Sequence, residues 1–423
     1  MQTNESILSW VCLAEILGPR SRRLKPLLQA FGTPEGIFSA DEKALLSVMP
    51  DMGAGLLAKI KAGGDRREAE RILRYCEKAG VTLLTPDNPL YPACFFALRE
   101  PPAVVYAKGN LTLPRHVPYV GVVGTRKADA YGMETAYRFA FELAGAGAVV
   151  VSGMAEGIDG VAAVAAIEAG GFTVAVLGTG IDRVYPKHHK RLAGEIAEFG
   201  LLLSEFAPGT PPNARNFPIR NRLISALSEA VLVVEADDDR GSLITARYAL
   251  LQGKSLFAVP GDVNRKRSEG CNLLLQAGAH MALESEDVLS HFRFLYRQNV
   301  KVPAEAVQYA GVTEQKLRAH GVKWAGDEIP KKEKHQKRET VEEASTPAEQ
   351  KEENNRLIEE AVSRLDEAKR NIYAMLPDTP FTVDALVSAE LSAGEVIAAM
   401  TLFEVYGLVS SRPGGVYRKT TLL

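Results

Sequence analysis

The chain has 423 residues, too many for one ordinary domain, and 46% of them are apolar or aromatic, which fits a globular protein with roughly two to four separate cores. Fifty Lys and Arg against 52 Asp and Glu leave a formal charge of −2, so attraction to a polyanion must come from local clusters and not from the total. Cys12, Cys76, Cys94 and Cys271 lie far apart without a CxxC pair, which excludes a zinc ribbon or a disulfide framework. With no basic-then-apolar leader and no run of about 18 apolar residues, the expectation is a cytoplasmic protein without a membrane span.

Residues 1–80 carry apolar positions at three- and four-residue spacing in ILSWVCLAEIL, RLKPLLQAF, KALLSVM and AERILRYCEKAG, broken at Gly18-Pro19, Gly32-Thr33-Pro34 and Gly53. These predict a bundle of short helices of the SAM-like or helix-hairpin-helix kind. From residue 81 to 295 short β-branched runs alternate with helix-length stretches, the pattern of an α/β, Rossmann-like, doubly wound and mainly parallel sheet. The predicted strands are 103–107, 119–124, 148–152, 173–178, 201–205, 230–236 and 255–261. Residues 296–355 are expected to be a charged linker, because 328–356 hold no aromatic residue and mix Lys, Arg and Glu evenly. The order helix, short helix, helix, hairpin over 356–423 predicts a winged helix with SSRPGGVYRK as its wing.

Ligands of open α/β sheets sit beyond the carboxyl ends of the strands, so the turns there are the place to look for chemistry. Five of them stand out: GTRKADAYG (124–132), SGMAEGID (152–159), GTGIDRVYPKHHKR (178–191), SEFAPGTPPNARNFPIRNR (204–222) and ADDDRGSLITAR (236–247). Gly124, Thr125, Ser152, Gly153, Gly241 and Ser242 offer small side chains that let backbone N–H groups approach an anion. Arg126, Lys187, Arg215, Arg220, Arg222 and Arg240 add a basic rim suited to several phosphates at once, with Asn216 and Asn221 beside them. Phe217 and Tyr185 lie within these turns and give bases a face to stack on. The competing structural reading pairs Arg220 and Arg222 with Glu205 or Glu235 and places Phe217 in the core. LLQGKS only imitates the end of a Walker A loop, since Tyr248 stands where its first glycine belongs, and neither GxGxxG nor GxSxG occurs in the required context. No metal site or cofactor is expected.

The series GVVGTRKADAYG, VVSGMAEGID, VLGTGIDRVYP, LLSEFAPGTPP, NFPIRNRLISALS, VVEADDDRGSLITARYALLQGK and FAVPG, in this order, resembles the DNA-processing protein A (DprA/Smf) family, most closely over residues 85–285. The resemblance implies a non-enzymatic protein that binds single-stranded DNA during natural transformation. It further implies protection of the strand, loading of a RecA-type recombinase past single-strand-binding protein, and a homodimer joined through the Rossmann-like domain. Carried over by position, the DNA pocket uses Arg126, Lys187, Phe217, Arg220, Asn221 and the pair Gly241-Ser242. The chain departs from the family pattern at Ala163, His189 and Arg240. The alternative is a nucleotide phosphoribohydrolase-like enzyme on a related fold, although its PGGxGTxxE motif is absent.

Overall fold

The computed structural model describes residues 4–237, 241–296, 299, 311–325 and, with interruptions, 358–419. Six helices open the chain: α1 (Asn4–Leu17), α2 (Leu24–Phe31), α3 (Pro34–Ser39), α4 (Glu42–Val48), α5 (Ala54–Lys61) and α6 (Arg66–Ala79). Their ends follow local chemistry. The side chains of Thr33, Asp41 and Asp65 accept backbone N–H groups of the first turns of α3, α4 and α6, and α6 closes on Gly80 in the left-handed region.

A nine-stranded sheet follows, built from β1 (Thr82–Leu84), β2 (Val105–Gly109), β3 (Tyr119–Val123), β4 (Val149–Ser152), β5 (Thr173–Leu177), β6 (Leu201–Ser204), β7 (Ala230–Val233), β8 (Ser255–Ala258) and β9 (His280–Met281). Their order is β1-β2-β6-β5-β4-β3-β7-β8-β9. From β6 to β9 every pairing is parallel, whereas β2 runs antiparallel to both β1 and β6. All seven predicted strands are present; the short β1 and the two-residue β9 at the sheet edges carry too little pattern to be read from sequence.

Helices α7 (Ala93–Ala97), α8 (Ala130–Gly145), α9 (Ile158–Glu168), α10 (Lys190–Phe199), α11 (Asn216–Leu227), α12 (Gly241–Leu251), α13 (Glu269–Gln276) and α14 (Ser285–Phe292) cover the two faces. Alternate strand residues feed two cores. Val120, Val122 and Val150 pack with α8, α9, α10, α14 and the N-terminal helices, while Val123, Val149 and Val151 pack with α7, α11, α12 and α13. The chain leaves β3 through β4, β5 and β6 in one direction and returns to β7 on the other side of β3, so a crevice opens between the carboxyl ends of β3 and β7.

The N-terminal helices are fastened to this body by buried charge. Arg20 and Arg22 donate through Nε to the two oxygens of Glu100, the second at 2.7 Å, and Arg20 N donates to Glu205 Oε1 at 3.1 Å. Arg20 and Glu100 are both buried.

Part of the expected linker is ordered. Residues 311–325 contain α15 (Glu314–Ala319), capped by Thr313, with Leu317 and Val322 fully buried against the first core. The local charge concealed these two apolar residues and Trp324, which packs beside them. The linker residues 326–355 lie outside the described ones. Beyond them α16 (Glu367–Met375) and a three-stranded antiparallel sheet, β10 (Phe381–Thr382), β11 (Val409–Arg412) and β12 (Val416–Lys419), ordered β10-β12-β11, share a core with Tyr248 and Leu251 of α12. Among the described residues no helix is long and apolar enough to cross a membrane.

Removing one member of a buried ion pair strands its partner. Glu100→Ala is therefore expected to lower unfolding stability by about 3–5 kcal/mol in urea denaturation and to expose the N-terminal helices to proteolysis.

Candidate nucleic-acid interface

The crevice contains a cavity of about 640 Å³. Nine of the residues expected from sequence line it: Gly124, Thr125, Arg126, Tyr185, Phe217, Arg220, Asn221, Gly241 and Ser242. The amino-terminal turns of α11 and α12 both open onto it, so two helix dipoles add positive potential to that of the side chains. Among the described residues the charged lining consists of three cations, Arg126, Lys127 and Arg220, and two acids, Asp159 and Asp237.

Arg220 is 2% exposed, and its role differs from the direct phosphate contact expected. Nη1 donates to Gly153 O at 2.7 Å and to Val176 O, and Nε donates to Asn221 Oδ1 at 3.1 Å. The guanidinium thus ties the turn after β4 to the end of β5. Burial pulls its pKa down to about 10, so it stays charged at neutral pH, helped by the buried Asp159. Asp159 in turn accepts Gly153 N–H at 3.1 Å, and burial holds its carboxyl above the usual range against the pull of Arg220 and Arg126. Glycine at 153 is a steric requirement: a Cβ there would lie 2.3 Å from Arg220 Nη1.

Phe217 is the meeting point of the aromatic and cationic groups. The Arg126 guanidinium carbon lies 4.7 Å from its ring centroid, that of Arg220 5.8 Å, and the Tyr185 ring 5.4 Å away at a tilt of 49°. The ring edge rests on Gly178, where a Cβ would approach to 2.8 Å. Phe217 is half-buried, so neither a fully exposed platform nor a core position describes it.

Several expected donors are placed otherwise. Ser152 is buried and donates to Val122 O at 2.7 Å, and Gly153 spends its N–H on Asp159. Thr125 N–H goes to Glu235 O at 2.7 Å, leaving its side chain and position to shape the wall. Arg222 is removed from the site: Nη2 sits 2.6 Å from both oxygens of Glu205, both side chains are buried, and Arg222 lines a separate cavity of about 220 Å³. The structural reading of the sequence therefore holds for Arg222, because residues two apart on a helix point to nearly opposite sides of it. Asn216 is buried in the first turn of α11, while Lys187 and Arg215 are exposed and outside the cavity lining. Arg240 lies outside the described residues. Arg183 and Arg191, two further cations of the GTGIDRVYPKHHKR turn, face Asp182 at 3.5 Å and Glu195 at 2.9 Å.

Lys127 and Asp159 were not singled out from the sequence. Lys127 was signalled by adjacency to Arg126, and Asp159 by being the one acid in the first turn of an otherwise apolar helix. His189, one of the departures from the family pattern, is fully buried and neutral, its pKa pushed down to about 4 by burial. A carbonyl can only accept, so Nδ1 carries the proton and donates to Met154 O at 3.1 Å.

The sheet that carries the cavity matches a known family. Residues 82–293 match the model of DNA recombination-mediator protein A. Protein Smf of Synechocystis sp. is 30% identical over 420 residues, covering 97% of this chain and 98% of that protein. The chain belongs to the DNA recombination-mediator protein A family. DNA processing protein DprA of Bacillus subtilis is 38% identical over 250 residues, covering 57% of this chain and 83% of its own. The crystal structure of DNA processing protein A from Streptococcus pneumoniae superposes with a TM-score of 0.59 at 31% identity, covering 68% of this chain and 98% of that one.

Behind the Gly124-Thr125 turn, Glu235 is 1% exposed and shares Arg265 with Asp129, the latter contact at 2.5 Å. Burial and the Asp129 charge outweigh Arg265 and push the Glu235 carboxyl from 4.5 up to about 7. The folded state then holds a proton that the unfolded state has released, so this contribution is full below about pH 4.5 and lost as pH rises through about 7. Glu235→Gln should flatten the fall in stability across that window, a change on the order of 1–3 kcal/mol, measured by denaturation at a series of pH values.

Proposed function

We propose that this chain is a single-stranded DNA-binding recombination mediator that protects the strand and loads a RecA-type recombinase onto it. The observation that supports it most is the cavity at the switch point, where Arg126 stacks on Phe217 above the buried charge of Arg220. Arg126 moves from the ring to a phosphate when a strand enters, and the uncovered face of Phe217 takes a base. Base stacking of this kind contributes about 1–3 kcal/mol per base. A duplex offers no unstacked base for it. The exposed Lys187 and Arg215 serve phosphates further along the strand, and Arg240 is a candidate contact from the sequence alone.

The family's description as a recombination mediator supports the mediator role; the RecA-type recombinase, and single-strand-binding protein as the competitor to be passed, are the partners this reading assigns to it. No catalytic step is assigned. A homodimer through the Rossmann-like domain is supported by exposed apolar side chains, Met281, Leu283 and Leu295, on and beside the free edge strand β9. Two cavities on one strand would raise affinity through effective concentration. The six N-terminal helices fit a SAM-like module, and the C-terminal helix with its three-stranded sheet fits a winged helix.

Titration with labelled oligo-dT, duplex DNA and AMP over a range of salt tests this reading. Expected are preference for the single strand and, for Arg126→Ala, about tenfold weaker binding with the salt slope reduced by about 0.7, one phosphate contact on a single strand. Equal affinity for duplex, or full affinity in Arg126→Ala, overturns the site; turnover of AMP supports the phosphoribohydrolase-like alternative instead. For the dimer, Met281→Glu with Leu283→Glu should halve the mass seen by analytical ultracentrifugation.

A further inference from the structure

We infer that residues 311–325 act as a strap whose docking positions two loops of the strand-binding cavity, an inference that rests on the DNA-binding reading of that cavity. The strap is anchored on the helices of the first core. Leu317 and Val322 are fully buried. His320 places Nδ1 2.6 Å from Glu195 Oε2 on α10 and Nε2 3.2 Å from Glu168 Oε1 on α9. Lys316 Nζ lies 3.6 Å from Glu168, and Ala325 N–H reaches Met133 Sδ on α8 at 3.2 Å.

Between these anchors the strap meets the backs of two loops whose fronts line the cavity. Gly321, at φ +81°, packs so closely on the turn after β5 that a Cβ would lie 2.6 Å from His188 O. Lys323 Nζ is 3.7 Å from Glu156 Oε1, and His188 Nε2 is 3.4 Å from that same oxygen. Glu156 therefore joins the strap, the turn containing Tyr185 and the loop containing Ala155, and both Tyr185 and Ala155 line the cavity.

The loop after β4 needs such support. Met154 is a non-glycine residue at φ +54°, a conformation that persists only where surrounding contacts over-determine it. His189 holds Met154 O from within the body, and the strap holds Glu156 from outside. Glu156, His188, Gly321 and Lys323 are positioning residues: none lines the cavity, yet each fixes a loop that does. Docking of the strap thereby links residues 311–325 to strand affinity although none of them lines the cavity.

The test uses the full chain. Gly321→Val should lift the strap, reported by Trp324 fluorescence, since the only other tryptophan, Trp10, is buried among the N-terminal helices. Lys323→Glu and Glu156→Lys, both at exposed or half-exposed positions, should each weaken oligo-dT binding about two- to fivefold at unchanged melting temperature. The charge-exchanged double variant should recover binding to within about twofold of the parent, which a loss of general stability would not do. Release of Trp324 with unaltered oligo-dT affinity, or single variants that bind like the parent, overturns the strap's role. Full affinity in Arg126→Ala would instead overturn the underlying site.

Discussion

A single buried guanidinium organises the crevice. Arg220 lies where the carboxyl ends of β4 and β5 meet α11, and it ties Gly153 O and Val176 O together while Asp159 holds the opposite side of the same peptide turn. Burying a cation is costly unless it is neutralised and hydrogen-bonded, and both conditions are met here by two carbonyls and a buried carboxylate. The arrangement dictates its neighbours. Gly153 must lack a Cβ, Asn221 is turned toward the guanidinium, and Phe217 is laid one turn earlier against Gly178.

Among the described residues the lining holds three cations against two acids. Its positive character comes equally from geometry: two helix amino termini converge, and the buried guanidinium of Arg220 stands behind that of Arg126. The cations consumed in surface pairs, Arg183 and Arg191, contribute less than a count of basic residues suggests.

Helix α11 is held on both sides by opposite means. Its cavity face carries Arg220, and its far face carries Arg222 on Glu205, the same carboxylate that accepts Arg20 N–H from the N-terminal helices. Glu205 therefore connects the N-terminal module to the helix that shapes the site. On the other flank α12 lines the cavity with Ile244 and Thr245, and Ile244, Tyr248 and Leu251 pack with the C-terminal core. Neither terminal module is remote from the crevice.

Much of this was legible in one dimension. β-Branched runs alternating with glycine-closed helices specify a parallel sheet, because buried strands and their covering helices require those compositions, and glycines with arginines after strand ends mark the crevice rim. Nine of the lining residues were named from the sequence. Tertiary structure decided what each arginine does. Arg220 and Arg222 stand two residues apart on one helix, so one faces the crevice and the other a buried glutamate, a distinction of about 200° that composition does not contain. The antiparallel sense of β2 and the docking of Leu317 and Val322 likewise depend on partners far away along the chain, and no local pattern encodes which partner a buried side chain will find.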